Sequence, residues 1–203
     1  MKSVISKEIA VLIDNMSKLP GLGARSARRI VFAMINRKSQ LLKPLINSME
    51  VVASKTDFCD ECGNIYTGSQ CPVCSDDQRD TSVICVVETI SDMWAMDRTG
   101  NFEGLYHILG GVLSAINGVG PKDLKIPKLV ERCSRYDVKE VILALNATVD
   151  AQTTIHVICD MLQHTSVKIS TLACGIPIGG ELDYLDDGTI IMAMKSRNTL
   201  DVI

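Results

Sequence analysis

The chain has 203 residues, 46% hydrophobic and 22% charged, the balance of a globular protein with room for one medium domain or two small ones. That excludes a disordered chain and a collagen-like repeat, and apolar runs such as Val83–Val87 and Val141–Leu145 fall far short of the about 20 residues a membrane helix needs. The net charge of −3 hides a division: residues 1–55 carry ten Lys/Arg against three acids, a net +7, and the remainder carries −10, so a polyanionic partner is expected for the head.

The opening Met1-Lys2-Ser3-Val4-Ile5-Ser6-Lys7-Glu8 turns charged at once and lacks the apolar core of an export signal, so the expectation is a soluble, cytoplasmic protein with no membrane partner. Ile5, Ile9, Leu12, Met16 and Leu19 recur at helical spacing and predict an amphipathic helix that ends at Pro20-Gly21-Leu22-Gly23. A second stripe, Ala27, Ile30, Val31 and Met34, follows immediately. Two helices around this turn make a helix-hairpin-helix pattern. Gly21 and Gly23 leave backbone N–H groups open at the start of the second helix, where a phosphate oxygen can be held, and Arg25, Arg28 and Arg29 add charge for neighbouring phosphates. An ordinary helical hairpin is the alternative, but cations in a first helical turn oppose the helix dipole, which favours an external anion. A third helix is predicted over about 40–53.

Cys59, Cys62, Cys71 and Cys74 form two C-x2-C pairs eight residues apart, in a segment without periodicity from Asp57 to Asp77. Reduced cytosolic thiols in this pattern predict one closed, structural zinc site per chain. A redox pair or an iron–sulfur cluster is the alternative, disfavoured by the duplicated spacing. Cys85, Cys133 and Cys159 stand singly in apolar or amphipathic stretches and read as core residues.

From Ser82 the pattern becomes α/β. Strands are predicted at Ser82–Glu88, Leu105–Leu109, Glu140–Leu145 and Val167–Leu172, and helices at Ser91–Asp97, Ile126–Arg135, Thr153–His164 and about Thr189–Ser196. Alternation of this kind predicts a mostly parallel sheet flanked by helices. Glu88 closes the first strand and Asp92 follows it. For magnesium-assisted phosphoryl chemistry a D-x-D pair should face Glu88, whereas the third strand offers Asn146-x-Thr148. Phosphate-loop, dinucleotide and nucleophile-elbow motifs are absent. His107, His156 and His164 lack metal-ligand spacing and read as structural or surface residues. An RNA-binding zinc ribbon would need stacking aromatics, and none of the eight lies in the hairpin motif Leu19–Arg29.

The order of hairpin, four-cysteine knuckle and α/β body resembles the bacterial RecR recombination mediator family over essentially the whole chain. The likeness extends through Val86-Val87-Glu88, Asp97-Arg98-Thr99-Gly100, Gly104-Leu105-Tyr106-His107-Ile108-Leu109-Gly110-Gly111, Asn117-Gly118-Val119-Gly120-Pro121, Val141–Asn146 and Gly175-Ile176-Pro177-Ile178-Gly179-Gly180-Glu181-Leu182-Asp183-Tyr184. The resemblance implies a helix-hairpin-helix over 1–55, a four-cysteine zinc finger over 56–78, a Toprim domain over 79–177 and a short C-terminal segment over 178–203. It also implies a non-enzymatic role in DNA repair, acting with RecO and RecF at gapped or protein-coated DNA to load recombinase. Dimers or ring-like tetramers and a nucleoid-associated place in the cytoplasm follow from the same likeness. Arg25 and Arg29 match the family's hairpin DNA contacts, and Glu88 and Asp92 match acids of its Toprim site, as candidates for ion or partner contact. A Toprim nuclease using Glu88 and magnesium is the rival. The chain departs from the family at Arg25 (usually Lys), at Ala147 (usually Pro), at Asp150-Ala151-Gln152 (usually more acidic) and at Cys174 (usually basic or aromatic).

Overall fold

The first apolar stripe winds into α1 (Lys7–Ser17) and the second into α2 (Ala24–Asn36), which pack against each other. This is a computed structural model that describes residues 4–135, 137–173 and 175–197, and the chain divides after Thr56 into two compact units. Among the described residues of the first unit only Ala27, Val31 and Met34, all on α2, are buried. The third predicted helix is longer than the 40–53 expected and begins with a π-helical turn, Lys38–Leu42, before α3 (Lys43–Lys55). Pro44 explains the irregularity. It has no N–H to give the preceding turn, so the ladder widens and the Lys43 N–H reaches back to the Lys38 carbonyl.

The second unit opens with a small two-stranded sheet, β1 (Thr56–Phe58) and β2 (Ile65–Thr67), in a segment whose sequence shows no periodicity. The main sheet follows: β3 (Asp80–Val87), β4 (Gly104–Ile108), β5 (Glu140–Leu143) and β6 (Lys168–Thr171), all parallel, in the order β4-β3-β5-β6. Helices α4 (Ile90–Asp97), α5 (Ile126–Arg135) and α6 (Val149–Leu162) connect them. A short 3-10 turn, Leu182–Tyr184, and α7 (Asp187–Lys195) end the described chain.

Strand alternation sorts the side chains of β3 into two cores. Ile84 and Val86 pack with Leu105, Val141 and Leu143 and with Leu129 of α5 and Ile158 of α6. Cys85 and Val87 point the other way, into a second core with Tyr106, Ile108 and Met93 of α4. Cys59, Cys62, Cys71 and Val73 belong to that second core. The cysteine segment therefore covers part of the sheet as a helix would elsewhere.

Several predicted boundaries move, each for a local reason. Helix α6 starts at Val149 rather than Thr153, because the Thr148 hydroxyl caps it by accepting the Ala151 N–H at 3.2 Å. Helix α7 starts two residues early because Asp186 accepts the Thr189 N–H at 3.0 Å. β5 ends at Leu143, not Leu145. Cys85 and Cys133 are buried, and burial pushes their thiols up to about 12 and about 11 respectively, so both stay neutral as packing residues. Cys159 is half-buried against the first core, and Cys174 lies outside the described residues.

Candidate metal centre and nucleic-acid interface

The four clustered cysteines come from the two C-x2-C turns, and their Sγ atoms all lie within 4.8 Å of one another. Among the described residues no other set of three or more His, Cys, Asp or Glu side chains converges in this way. Cys59 and Cys74 are 3.8 Å apart and Cys62 and Cys71 are 3.7 Å apart. A tetrahedral ion with sulfur bonds of about 2.3 Å requires sulfur–sulfur edges of about 3.8 Å. The cluster thus has the dimensions of a closed four-sulfur metal site.

The backbone is shaped for it. Gly63 N–H donates to the Cys59 carbonyl at 2.8 Å, and Cys59 N–H donates to the Asn64 carbonyl at 2.8 Å. Gly63 has φ +79°, and a β-carbon there would lie 3.0 Å from the Ile108 carbonyl, so the first turn needs glycine for both reasons. Asn64, itself buried, aims its backbone N–H at Cys62 Sγ (3.4 Å) and its side-chain amide at Cys71 Sγ (3.8 Å). N–H groups pointed at sulfur stabilise the thiolate form that a metal binds. Contact with the Cys74 thiol and burial push the Cys62 thiol upward, and a bound cation reverses that balance.

This knuckle is tied to the sheet edge. The Ile108 N–H donates to the Cys62 carbonyl at 2.8 Å. Glu61, between the first two cysteines, pairs with Arg135, with Lys128 at 3.5 Å and with Arg132 Nε at 3.9 Å. Arg135 holds the Glu61 carboxyl below its ordinary range. Arg132 is 1% exposed and donates to the Tyr106 carbonyl (2.8 Å) and to Nδ1 of His107 (3.2 Å). His107, fully buried, gives its Nε2 proton to the Lys125 carbonyl at 2.9 Å, and burial plus the Arg132 charge lower its pKa to about 3. This long-range brace escaped the sequence reading. Its one local signal is an arginine on the buried stripe of α5, which needs acceptors inside.

In the first unit Gly21 takes φ +78° in the turn, and Gly23 is the N-cap of α2, with no side chain capping the helix. Its carbonyl accepts the Ala27 N–H at 3.0 Å, while among the described residues the preceding N–H groups of the helix have no cap. Arg25, Arg28 and Arg29 are exposed, and among the described residues none of them forms an ion pair.

The two Toprim-position acids are differently engaged. Glu88 is buried at the end of β3, and its Oε1 accepts the Asn146 N–H at 2.6 Å, bridging to the chain beyond β5. Asp92 completes a capping box: its Oδ2 accepts the Thr89 N–H (2.9 Å) and hydroxyl (2.7 Å), while the Thr89 hydroxyl accepts the Asp92 N–H. The T-x-x-D signal for that cap was present in the sequence. Of the histidines, His107 is structural and His156 and His164 are exposed.

Family comparisons divide the chain in the same order. A RecR helix-hairpin-helix family matches residues 9–52, a Toprim domain matches 82–173 and a RecR C-terminal family matches 175–198. The chain is 55% identical over 195 residues to recombination protein RecR of Jannaschia sp., covering 96% of this chain and 98% of that protein. It is 52% identical to the protein of that name from Parvibaculum lavamentivorans over the same shares, and 52% identical to that from Maricaulis maris over 95% and 96%. None of the described helices is long and apolar enough to cross a membrane.

Proposed function

This chain belongs to the RecR family of recombination proteins, and on that premise we propose that it is a non-catalytic mediator of DNA repair. It binds DNA without reading sequence and acts with RecO and RecF at gapped or single-strand-binding-protein-coated DNA to promote recombinase loading. The observation that carries this reading is the open N-terminus of α2, with Gly21 and Gly23 shaping the turn and Arg25, Arg28 and Arg29 exposed and, among the described residues, without ion pairs. Unsatisfied N–H donors there hold one phosphate, and the guanidinium groups hold its neighbours. Phosphate contacts position a protein on DNA but carry no base information.

Residues 1–55 grip DNA in this reading, and 56–78 form the zinc finger. Residues 79–177 form the Toprim platform, with 178–203 completing the assembly. The four thiols take zinc, whose tetrahedral preference and sulfur affinity suit the cluster, and the closed shell leaves no water position for catalysis. Glu88 and Asp92 serve the platform rather than chemistry: one carboxylate ties down the Asn146 loop, the other caps α4, and Asn146-x-Thr148 supplies no second acidic pair. Exposed apolar side chains on the head, among them Phe32, Leu45 and Met49, suit assembly as a dimer or ring-like tetramer. The working place is the cytoplasm, at the nucleoid.

The test is recombinase loading onto gapped DNA coated with single-strand-binding protein, in the presence of RecO and RecF. Wild-type protein should accelerate loading, and Arg25→Ala with Arg29→Ala should abolish the acceleration while retaining zinc and oligomer mass. Magnesium-dependent DNA cleavage by the purified protein, lost in Glu88→Ala, would overturn the non-catalytic reading.

A further inference from the structure

The four cysteines are not equivalent. Cys62 and Cys71 are buried, lie 3.7 Å apart and have the two Asn64 N–H groups directed at them. Cys59 and Cys74 lie 3.8 Å apart, and Cys74 is the exposed member of the set. The backbone N–H groups of Cys62 and Glu61 face the Cys59 Sγ, whereas among the described residues no backbone or amide N–H is directed at the Cys74 Sγ. An open cleft of about 600 Å³ reaches Cys59, Cys71 and the exposed Cys74, with Phe58 and Tyr66 at its sides and Asp60, Glu61 and Asp77 among its lining. Cys59, Cys62 and Cys71 are buried, and Cys74 alone of the four faces water.

From this asymmetry we infer that Cys74 is an oxidative modification site for a small neutral peroxide, and that its oxidation closes a Cys59–Cys74 disulfide and ejects the zinc. The inference rests on the zinc reading above. Sulfur reactivity follows thiolate character and exposure, and hydrogen bonds to sulfur lower its nucleophilicity, so Cys74 reacts before the buried pair. The carboxylates lining the cleft repel anionic oxidants and admit uncharged hydrogen peroxide.

In the first step the Cys74 thiolate attacks one peroxide oxygen. The O–O bond breaks, an S–O bond forms, hydroxide leaves, and sulfur is oxidised by two electrons as the peroxide is reduced. In the second step the Cys59 thiolate attacks the Cys74 sulfenic sulfur, the S–O bond breaks, and a second hydroxide leaves as the disulfide forms. Two thiolates and one peroxide become one disulfide and two hydroxides. Cys62 and Cys71 alone cannot complete a tetrahedron, so the ion departs. The buried pair stays reduced, and a thiol reductant with zinc restores the site.

The experiment uses the full-length, zinc-loaded protein titrated with hydrogen peroxide. A chromogenic chelator reads zinc release, while alkylation and peptide mass mapping locate the disulfide. The expected result is release of about one zinc per chain, a Cys59–Cys74 linkage, alkylatable Cys62 and Cys71, and recovery with reductant plus zinc. Cys74→His keeps a metal ligand without an oxidisable sulfur and should slow release by about tenfold or more. Should that variant fail to hold zinc, the disulfide map of the wild type decides alone. A first linkage between Cys62 and Cys71, or zinc retained while Cys74 is oxidised, would overturn the inference. Failure of the reduced protein to bind zinc at all would instead remove the zinc reading itself, and this inference with it.

Discussion

Residues 4–56 bury three side chains, Ala27, Val31 and Met34, and leave Phe32, Leu45, Ile46, Met49 and Val52 in solvent. The unit that follows closes two cores, one on each face of a parallel sheet, and braces the second with its cysteine knuckle. Charge divides with packing: the head is basic and the rest acidic. A unit of this size with so little core gains stability from what covers it, whereas the body is stabilised internally and, in the zinc reading, by a metal at its four cysteines. The account assigns contact with DNA and other copies to the head, and rigidity to the body.

The largest effect should come from removing the brace. Cys62→Ser is expected to lose zinc and the body's cooperative melting transition, since structural zinc contributes on the order of 10 kcal/mol in small sites. The helical signal of the head should persist. Metal analysis combined with thermal circular dichroism checks this, and a body that melts normally without metal would erase the distinction between the units.

Glu88→Ala should destabilise the body by about 1–3 kcal/mol, because the Asn146 N–H loses its acceptor near the strand ends. Urea unfolding measures it, and an unchanged midpoint would free Glu88 for another role. Acid should act through His107. Its folded pKa, about 3, lies below the unfolded value of about 6.5, so the unfolded chain binds the extra proton between them. Body stability from this group is therefore full above about pH 6.5 and falls as pH drops toward about 3. His107→Gln, which can accept from Arg132 and donate to the Lys125 carbonyl, should flatten that slope in urea melts taken across the window. The smallest effect is Thr148→Ala, expected to cost about 1 kcal/mol through loss of the α6 cap.

These tests also mark what the sequence disclosed. The paired cysteines, the α2 stripe and the β3 run were legible because each is a local pattern with one physical meaning. The π-helical turn before α3 was not, since Pro44 disturbs a ladder without changing the apolar spacing. The start of α6 is hidden because Thr148 stands where an acid would serve phosphoryl chemistry, whereas its hydroxyl is a helix cap. The brace from Glu61 to Arg132 and Arg135 joins residues more than seventy positions apart, and no local pattern encodes such a pairing. Asp92 carried a readable capping signal that competed with its Toprim resemblance.

The division of labour is tested most directly by titrating DNA of two unrelated sequences with wild type and with Arg25→Ala/Arg29→Ala across a salt series. Both proteins are first checked for bound zinc and equal body melting. The account predicts that wild-type affinity falls steeply with salt and hardly differs between sequences. The double variant should bind both DNAs more weakly, with a log–log salt slope smaller in magnitude by about two. A correctly assembled variant with unchanged affinity and slope would contradict it and move the DNA contact away from the head.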